Sequence, residues 1–274
     1  LVYRLDGVED LILPPGTLAK IFSGVITRWN DPEIAADNPD ATLPDARIEV
    51  FFRGGRTGIT QTLGDYLNTE APETWPVAGT PAWRGAGQAR SSADEIIDSV
   101  RTTPNSIGYV EHSQLPDHIT FPSPSPTLTS SPSLTPAADS TAATESGSVT
   151  PVSSTPTAVP TINGPVEPRL IHLQVGEHHV ELTTETAQLG VDALQVPVEG
   201  HDLIATMGDT QGWPIIRVIY QVLCSVSPRT DLVPLARDWV TYLLADPTQD
   251  ALSTRPALTP ELRDRVRAAT RELT

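Results

Sequence analysis

The chain has 274 residues, a formal net charge of −16 at pH 7, only 5% aromatic residues and 27 prolines. That length can bury the core of one two-lobed domain or two small domains, while the composition says that part of the chain lies outside any core. The acidic balance excludes nucleic acid and anionic membrane surfaces as general partners, so any anion site must be local. Lys20 is the only lysine among 18 basic residues, and with Cys224 as the only cysteine no intrachain disulfide can form. No apolar run reaches the length of a bilayer span, and the given sequence shows no signal peptide before Leu1.

Leu1-Val2-Tyr3-Arg4-Leu5 alternates weakly and ends at Asp6-Gly7, a strand followed by a turn. Pro14-Pro15-Gly16-Thr17 introduces a helix with Leu18, Ile21 and Phe22 on one face and Gly24 as its stop. Asn30-Asp31-Pro32 then supplies a cap and first-turn proline for a short helix around Ile34. Trp29 between them reads as a core residue or a lobe-surface residue in preference to a ligand-stacking one.

The stretch that organises the chain runs from Arg47 to Leu67. Ile48, Val50, Phe51 and Phe52 form a short apolar run bounded by glycines, the pattern of a buried strand reaching a tight turn. Gly54, Gly55 and Gly58 let the backbone approach a ligand closely, and from Thr60 onward Leu63 and Leu67 fall at helical spacing. In a strand, glycine loop and helix of this kind, the first helical N–H groups have no partner in the helix. With the Thr57 and Thr60 hydroxyls beside them and Arg53 and Arg56 flanking, they can receive a tetrahedral oxyanion. The bland alternative is an ordinary strand-to-helix turn with two solvated arginines.

A loop rich in Pro, Gly and Trp follows from Glu70 to Gln88, then a Ser92-x-x-Glu95 capping box before a helix whose face is Ile96, Ile97 and Val100. Ile107 to Val110 reads as a short buried strand, and the alternation of strands and helices predicts a mostly parallel α/β sheet. From residue 122 to 168 the sequence holds no Lys, Arg or aromatic residue. Such composition cannot offset ordering entropy and predicts a disordered insertion, read as an inert tether before a glycosylated stalk.

Structure is expected to resume near Leu170. His172, Glu177, His178 and His179 invite a metal reading, but adjacent histidines on a strand face opposite ways, and no metal site is expected. Thr183-Thr184-Glu185 starts a helix through Leu189, Val191 and Leu194. Trp213 to Val222 is apolar, β-branched and aromatic. The next helix carries one continuous stripe of Leu232, Leu235, Ala236, Trp239, Val240, Leu243 and Leu244. A last helix has Thr259 as cap and Pro260 at its first position, with Arg263, Arg265, Arg267 and Arg271 mostly on the wet side. No nucleophile elbow, P-loop, metalloprotease motif or zinc-type cysteine spacing occurs, so neither catalysis nor a cofactor is expected.

The run Arg53-Gly54-Gly55-Arg56-Thr57-Gly58-Ile59-Thr60 resembles the loop of the phosphate-binding component of bacterial phosphate ABC importers, roughly R-x-D-G-S-G-T-[ST]. Leu18 to Gly24, Ile26 to Pro32, Ile107 to Glu111, and Trp213 to Ile216 with Val218 to Tyr220 are similar to that family in the same order. The resemblance implies an α/β fold of two lobes, periplasmic-binding-protein-like, with one lobe nearly complete and the other partial. Residues 1–11 would form a crossing strand, 12–121 and 169–208 the second lobe, 122–168 an insertion, and 209–274 a return strand and first-lobe helices.

It also implies extracytoplasmic binding of inorganic phosphate or a similar oxyanion and delivery to an ABC importer permease. Arg53 would supply a bidentate charge-assisted pair, Thr57 a hydroxyl and N–H, and Gly58 and Ile59 backbone N–H groups, with Thr60 as a substitute hydroxyl. The family's aspartate falls at Gly55 and one of its hydroxyl donors at Ile59, and its other phosphate contacts would precede Leu1. These departures carry the alternative expectation of a surface or scaffold protein that keeps the fold without high-affinity binding.

Overall fold

A computed structural model describes residues 1–116, 165–196, 205–223, 229–251 and 256–273. The predicted insertion lies outside these residues apart from 165–168. There Val166 N–H donates to Arg101 O at 3.0 Å and Glu167 pairs with Arg101 at 2.9 Å.

The elements in order are β1 (Val2–Arg4), β2 (Ile12–Leu13), α1 (Pro15–Ser23), α2 (Pro32–Asp37), β3 (Glu49–Arg53), α3 (Gly58–Glu70), β4 (Gln88–Arg90), α4 (Ala93–Thr102) and β5 (Ser106–Gly108). There follow β6 (Arg169–Leu170), β7 (His172–Val175), β8 (His178–Val180), α5 (Thr184–Asp192), β9 (Leu194–Gln195), β10 (Thr206–Met207), α6 (Val233–Leu243), α7 (Asp246–Asp250) and α8 (Pro260–Arg271).

The principal sheet has the order β4-β3-β5-β1-β6. Parallel ladders join β3 to β4 and β5, whereas β1 runs antiparallel to both β5 and β6. The sheet is therefore mixed, not mostly parallel. Parallel neighbours need a crossover, and α3 and α4 supply one for β3, β4 and β5 only. Strand side chains alternate between faces. Val2 and Phe51 join Ile96, Ile97 and Val100 beneath α4, while Tyr3 and Val50 join Leu18, Phe22, Leu63 and Leu67 beneath α1 and α3.

A second sheet, β2-β7-β8, continues the chain from β6 through buried Ile171. It is fastened to α2 by Asn38, whose Oδ1 accepts from Ile12 N–H and whose Nδ2 donates to Ile12 O, both at 2.8 Å.

Helix starts follow the sequence signals. Asp31 Oδ1 accepts from Glu33 N–H at 3.0 Å and Thr259 Oγ1 accepts from Leu262 N–H at 3.2 Å, whereas α3 begins at Gly58 with Thr57 as its cap, two residues before the start expected at Thr60. Ser92 caps α4, but Glu95 returns to Ser91 N–H at 2.7 Å instead of to the cap residue, so the predicted capping box is displaced by one position. Gly24 ends α1 at φ +82, a left-handed conformation that glycine adopts without steric cost.

Three expectations for the last part of the chain are corrected. Trp213 to Val222 forms no strand among the described residues, because a strand exists by pairing and no described strand lies alongside it. Trp213 itself is buried, its N–H donating to Thr186 O at 2.8 Å. The stripe that runs along α6 is only partly buried: Val240 and Leu244 are enclosed, while Leu232, Leu235 and Trp239 are 44%, 66% and 51% exposed.

Three of the four arginines of α8 reach neighbouring elements, while Arg271 stays exposed as expected. Arg263 pairs with Asp246, Arg265 Nη1 donates to Val196 O at 2.6 Å, and Arg267 Nη2 donates to Leu244 O at 3.0 Å. Open carbonyls and carboxylates of neighbouring elements draw them inward as clasps. No described helix is long and apolar enough to cross a membrane.

Candidate oxyanion site

Because β3 and β5 run parallel, their carboxyl ends open on the same edge of the sheet, where ligands of open α/β sheets bind. Arg53 is the last residue of β3. Its Nη1 is buried and has no hydrogen-bond partner among the described residues, an unmet need for an acceptor. The chain then turns at Gly55, φ +79, and enters α3 at Gly58. The first helical N–H groups, those of Gly58 and Ile59, find no intrahelical acceptor and carry the positive end of the helix dipole.

Thr57 is the N-cap. Its Oγ1 accepts from Thr60 N–H at 3.4 Å and lies 2.8 Å from Thr60 Oγ1. Thr60 Oγ1 is buried and lies 2.7 Å from the Tyr109 hydroxyl, which in turn accepts from Arg53 N–H at 3.3 Å. Three hydroxyls thus form one chain that ties the end of β3 to the start of α3 and to the residue following β5. Burial pushes the Tyr109 phenol up, opposed first by the hydrogen bond shared with Thr60, then by the Arg53 N–H and the Arg53 charge.

A second loop closes over this one. Thr57 N–H donates to Pro81 O at 2.8 Å and Arg56 bridges to Ala82. Trp83 anchors that loop, stacked on Phe52 at 5.5 Å and edge-on to Phe22 at 5.3 Å.

The structure brings Arg53, Thr57, Gly58, Ile59 and Thr60 together, with two changes of role. The Thr57 N–H is committed to Pro81 and cannot also serve an anion. The Thr60 hydroxyl faces inward between Thr57 and Tyr109, so it positions the loop and is no substitute ligand. Ile59 packs its side chain against the main core, leaving only its N–H for the site. An aspartate at Gly55 would meet the left-handed φ there, a strain of about 1 kcal/mol unless the turn shifts to residue 56.

Sequence reasoning missed Tyr109 as a site residue. A tyrosine in the otherwise aliphatic Ile107 to Val110 run was the available signal. Tyr109→Phe removes the hydroxyl from the chain and leaves Arg53 N–H without its partner, so unfolding in urea is expected to show a loss of about 1–2 kcal/mol. An unchanged stability would mean the hydroxyl chain does not brace the loop.

The sheet edge, glycine turn and helix start together form the kind of concave, amide-lined edge at which open α/β sheets can take an anion. The PBP superfamily domain profile matches residues 1–156, more than half the chain, and the chain belongs to that superfamily. Over 114 residues it is 40% identical to phosphate-binding protein PstS 3 of Mycobacterium tuberculosis, covering 41% of this chain and 31% of that protein. It is 35% identical to PstS 2 of the same organism over the same shares. The matched stretch therefore spans about a third of these relatives' length.

Among solved structures, the phosphate-binding protein from Stenotrophomonas maltophilia is similar with a TM-score of 0.53 and 15% identity, over 97% of this chain and 66% of that one. A high affinity periplasmic phosphate-binding protein solved bound with phosphate is similar with a TM-score of 0.57 and 14% identity, over 97% and 67%. At that identity the likeness shows the fold, that of the two-lobed binding proteins.

Proposed function

We propose that the chain captures an oxyanion, inorganic phosphate, at the start of α3 outside the cytoplasm and presents it to an ABC importer permease without chemistry on the ligand. The observation that carries this reading is the Nη1 of Arg53, buried and without a partner among the described residues, one glycine turn from the amides that begin a helix of 13 residues. A guanidinium and oriented backbone N–H groups are the donors a tetrahedral anion needs, and no proton transfer is required of them. The names of the relatives support phosphate as the anion.

In this reading 12–121 and 169–208 belong to the second lobe, residues 1–11 cross between lobes, and 209–274 belong to the first lobe. A non-transporting surface or scaffold role is the second reading, favoured by the absence of a carboxylate at Gly55 and of a hydroxyl at Ile59. Calorimetric titration decides between them: saturable uptake of inorganic phosphate, displaced by arsenate and not by chloride, is expected, and no saturable uptake at millimolar phosphate supports the scaffold.

A further inference from the structure

Arg217 stands over the start of α3. A Cβ built on Gly58 would lie 3.1 Å from Arg217 Nη1 and 3.5 Å from its Cδ, so the glycine leaves the room that the arginine occupies. Arg217 Nη2 donates to Glu111 Oε2 at 3.2 Å, and Glu111 lies two residues beyond Tyr109 at the carboxyl end of β5. A guanidinium beside the positive end of a helix is repelled unless negative charge intervenes. Glu111 supplies that charge, but the two side chains are 35% and 25% exposed, and a pair so hydrated is weak and easily exchanged.

We propose that Arg217 is a second cationic ligand of the bound anion, held by Glu111 until the anion arrives, and that it favours fully deprotonated dianions; this rests on the oxyanion reading of the loop. With Gly55 in place of a carboxylate, the loop offers no anionic acceptor for the proton of a protonated anion. Arg217 adds positive charge instead, on a side chain from outside the loop. Two guanidiniums and two helix-start amides reward total negative charge, so sulfate, which carries two charges and no proton near neutral pH, is accepted along with phosphate. Glu111 acts as an internal competitor for Arg217.

The test titrates inorganic phosphate and sulfate at low ionic strength into the whole chain and into Arg217→Ala, Glu111→Gln and Arg53→Ala, with thermal unfolding of each to confirm the fold. Arg217→Ala should weaken both anions about tenfold, sulfate more than phosphate, and Glu111→Gln should tighten both several-fold. Arg217→Lys keeps the charge and should restore part of the loss. The opposite signs are the signature, since a clamp that merely holds the chain in place would make both variants bind more weakly. Parallel weakening overturns the proposal, as does loss of binding in Arg53→Ala with no response in Arg217→Ala or Glu111→Gln, which leaves the loop reading intact. Binding of neither anion by the parent overturns both.

Discussion

Arg53→Ala lowers phosphate affinity by roughly 10–150-fold, the weight of a charge-assisted hydrogen-bonded pair, while Arg56→Ala changes it by no more than about twofold. The contrast follows from placement. Arg53 leaves β3 with a buried Nη1 that has no acceptor among the described residues, whereas Arg56 is exposed on the turn and bridges to Ala82 through its backbone. Equilibrium titration of phosphate into both variants measures the difference. Equal responses would remove Arg53 from its role, since they would reduce both residues to a shared background of positive charge.

The largest effect on stability is expected from Trp29→Ala, a loss of about 3–5 kcal/mol in urea unfolding. Trp29 is 0% exposed, its Nε1 donates to Asn105 O at 3.0 Å, and its backbone N–H donates to Ala46 O at 3.0 Å. Asn105 O also accepts from Glu49 N–H at 3.0 Å, so the indole seals the point where β3 and β5 take up their register. Alanine leaves a cavity there and removes one of the two donors to the Asn105 carbonyl. Trp29→Phe, which keeps most of the volume and loses the hydrogen bond, should cost less than half as much. A loss under about 1 kcal/mol for the alanine variant would show that the site collapses and that the register does not depend on the indole.

Local chemistry was the most legible part of the sequence. The strand reaching the glycine turn and the helix beyond it could be read because each depends on residues within a few positions of one another. The same holds for Asp31, Gly24, Thr183 and Thr259, whose side chains or torsions act on adjacent backbone.

What the sequence hid depends on distant partners. Pro81 claims the Thr57 N–H because Trp83 pins its loop to Phe52 and Phe22, a contact no local spacing encodes. Thr60 turns inward because Tyr109, 49 positions away, offers it a hydroxyl. Trp213 to Val222 has strand composition, yet composition without a neighbouring strand does not make a ladder. Nothing in the local sequence around Arg217 tells that the fold lays it over Gly58. Arg265 and Arg267 of α8 looked solvated because the carbonyls they reach, Val196 and Leu244, belong to other elements.

The central claim is that an oxyanion sits on the first amides of α3 against Arg53. Amide chemical shifts followed during a phosphate titration of the isotopically labelled chain test it most directly, and they report even weak binding. The account predicts saturable shifts concentrated at Gly58 and Ile59 in the parent, with little movement of the Thr57 amide because Pro81 holds it, and their loss in Arg53→Ala. Unmoved amides at Gly58 and Ile59, or shifts that persist unchanged in Arg53→Ala, would contradict it.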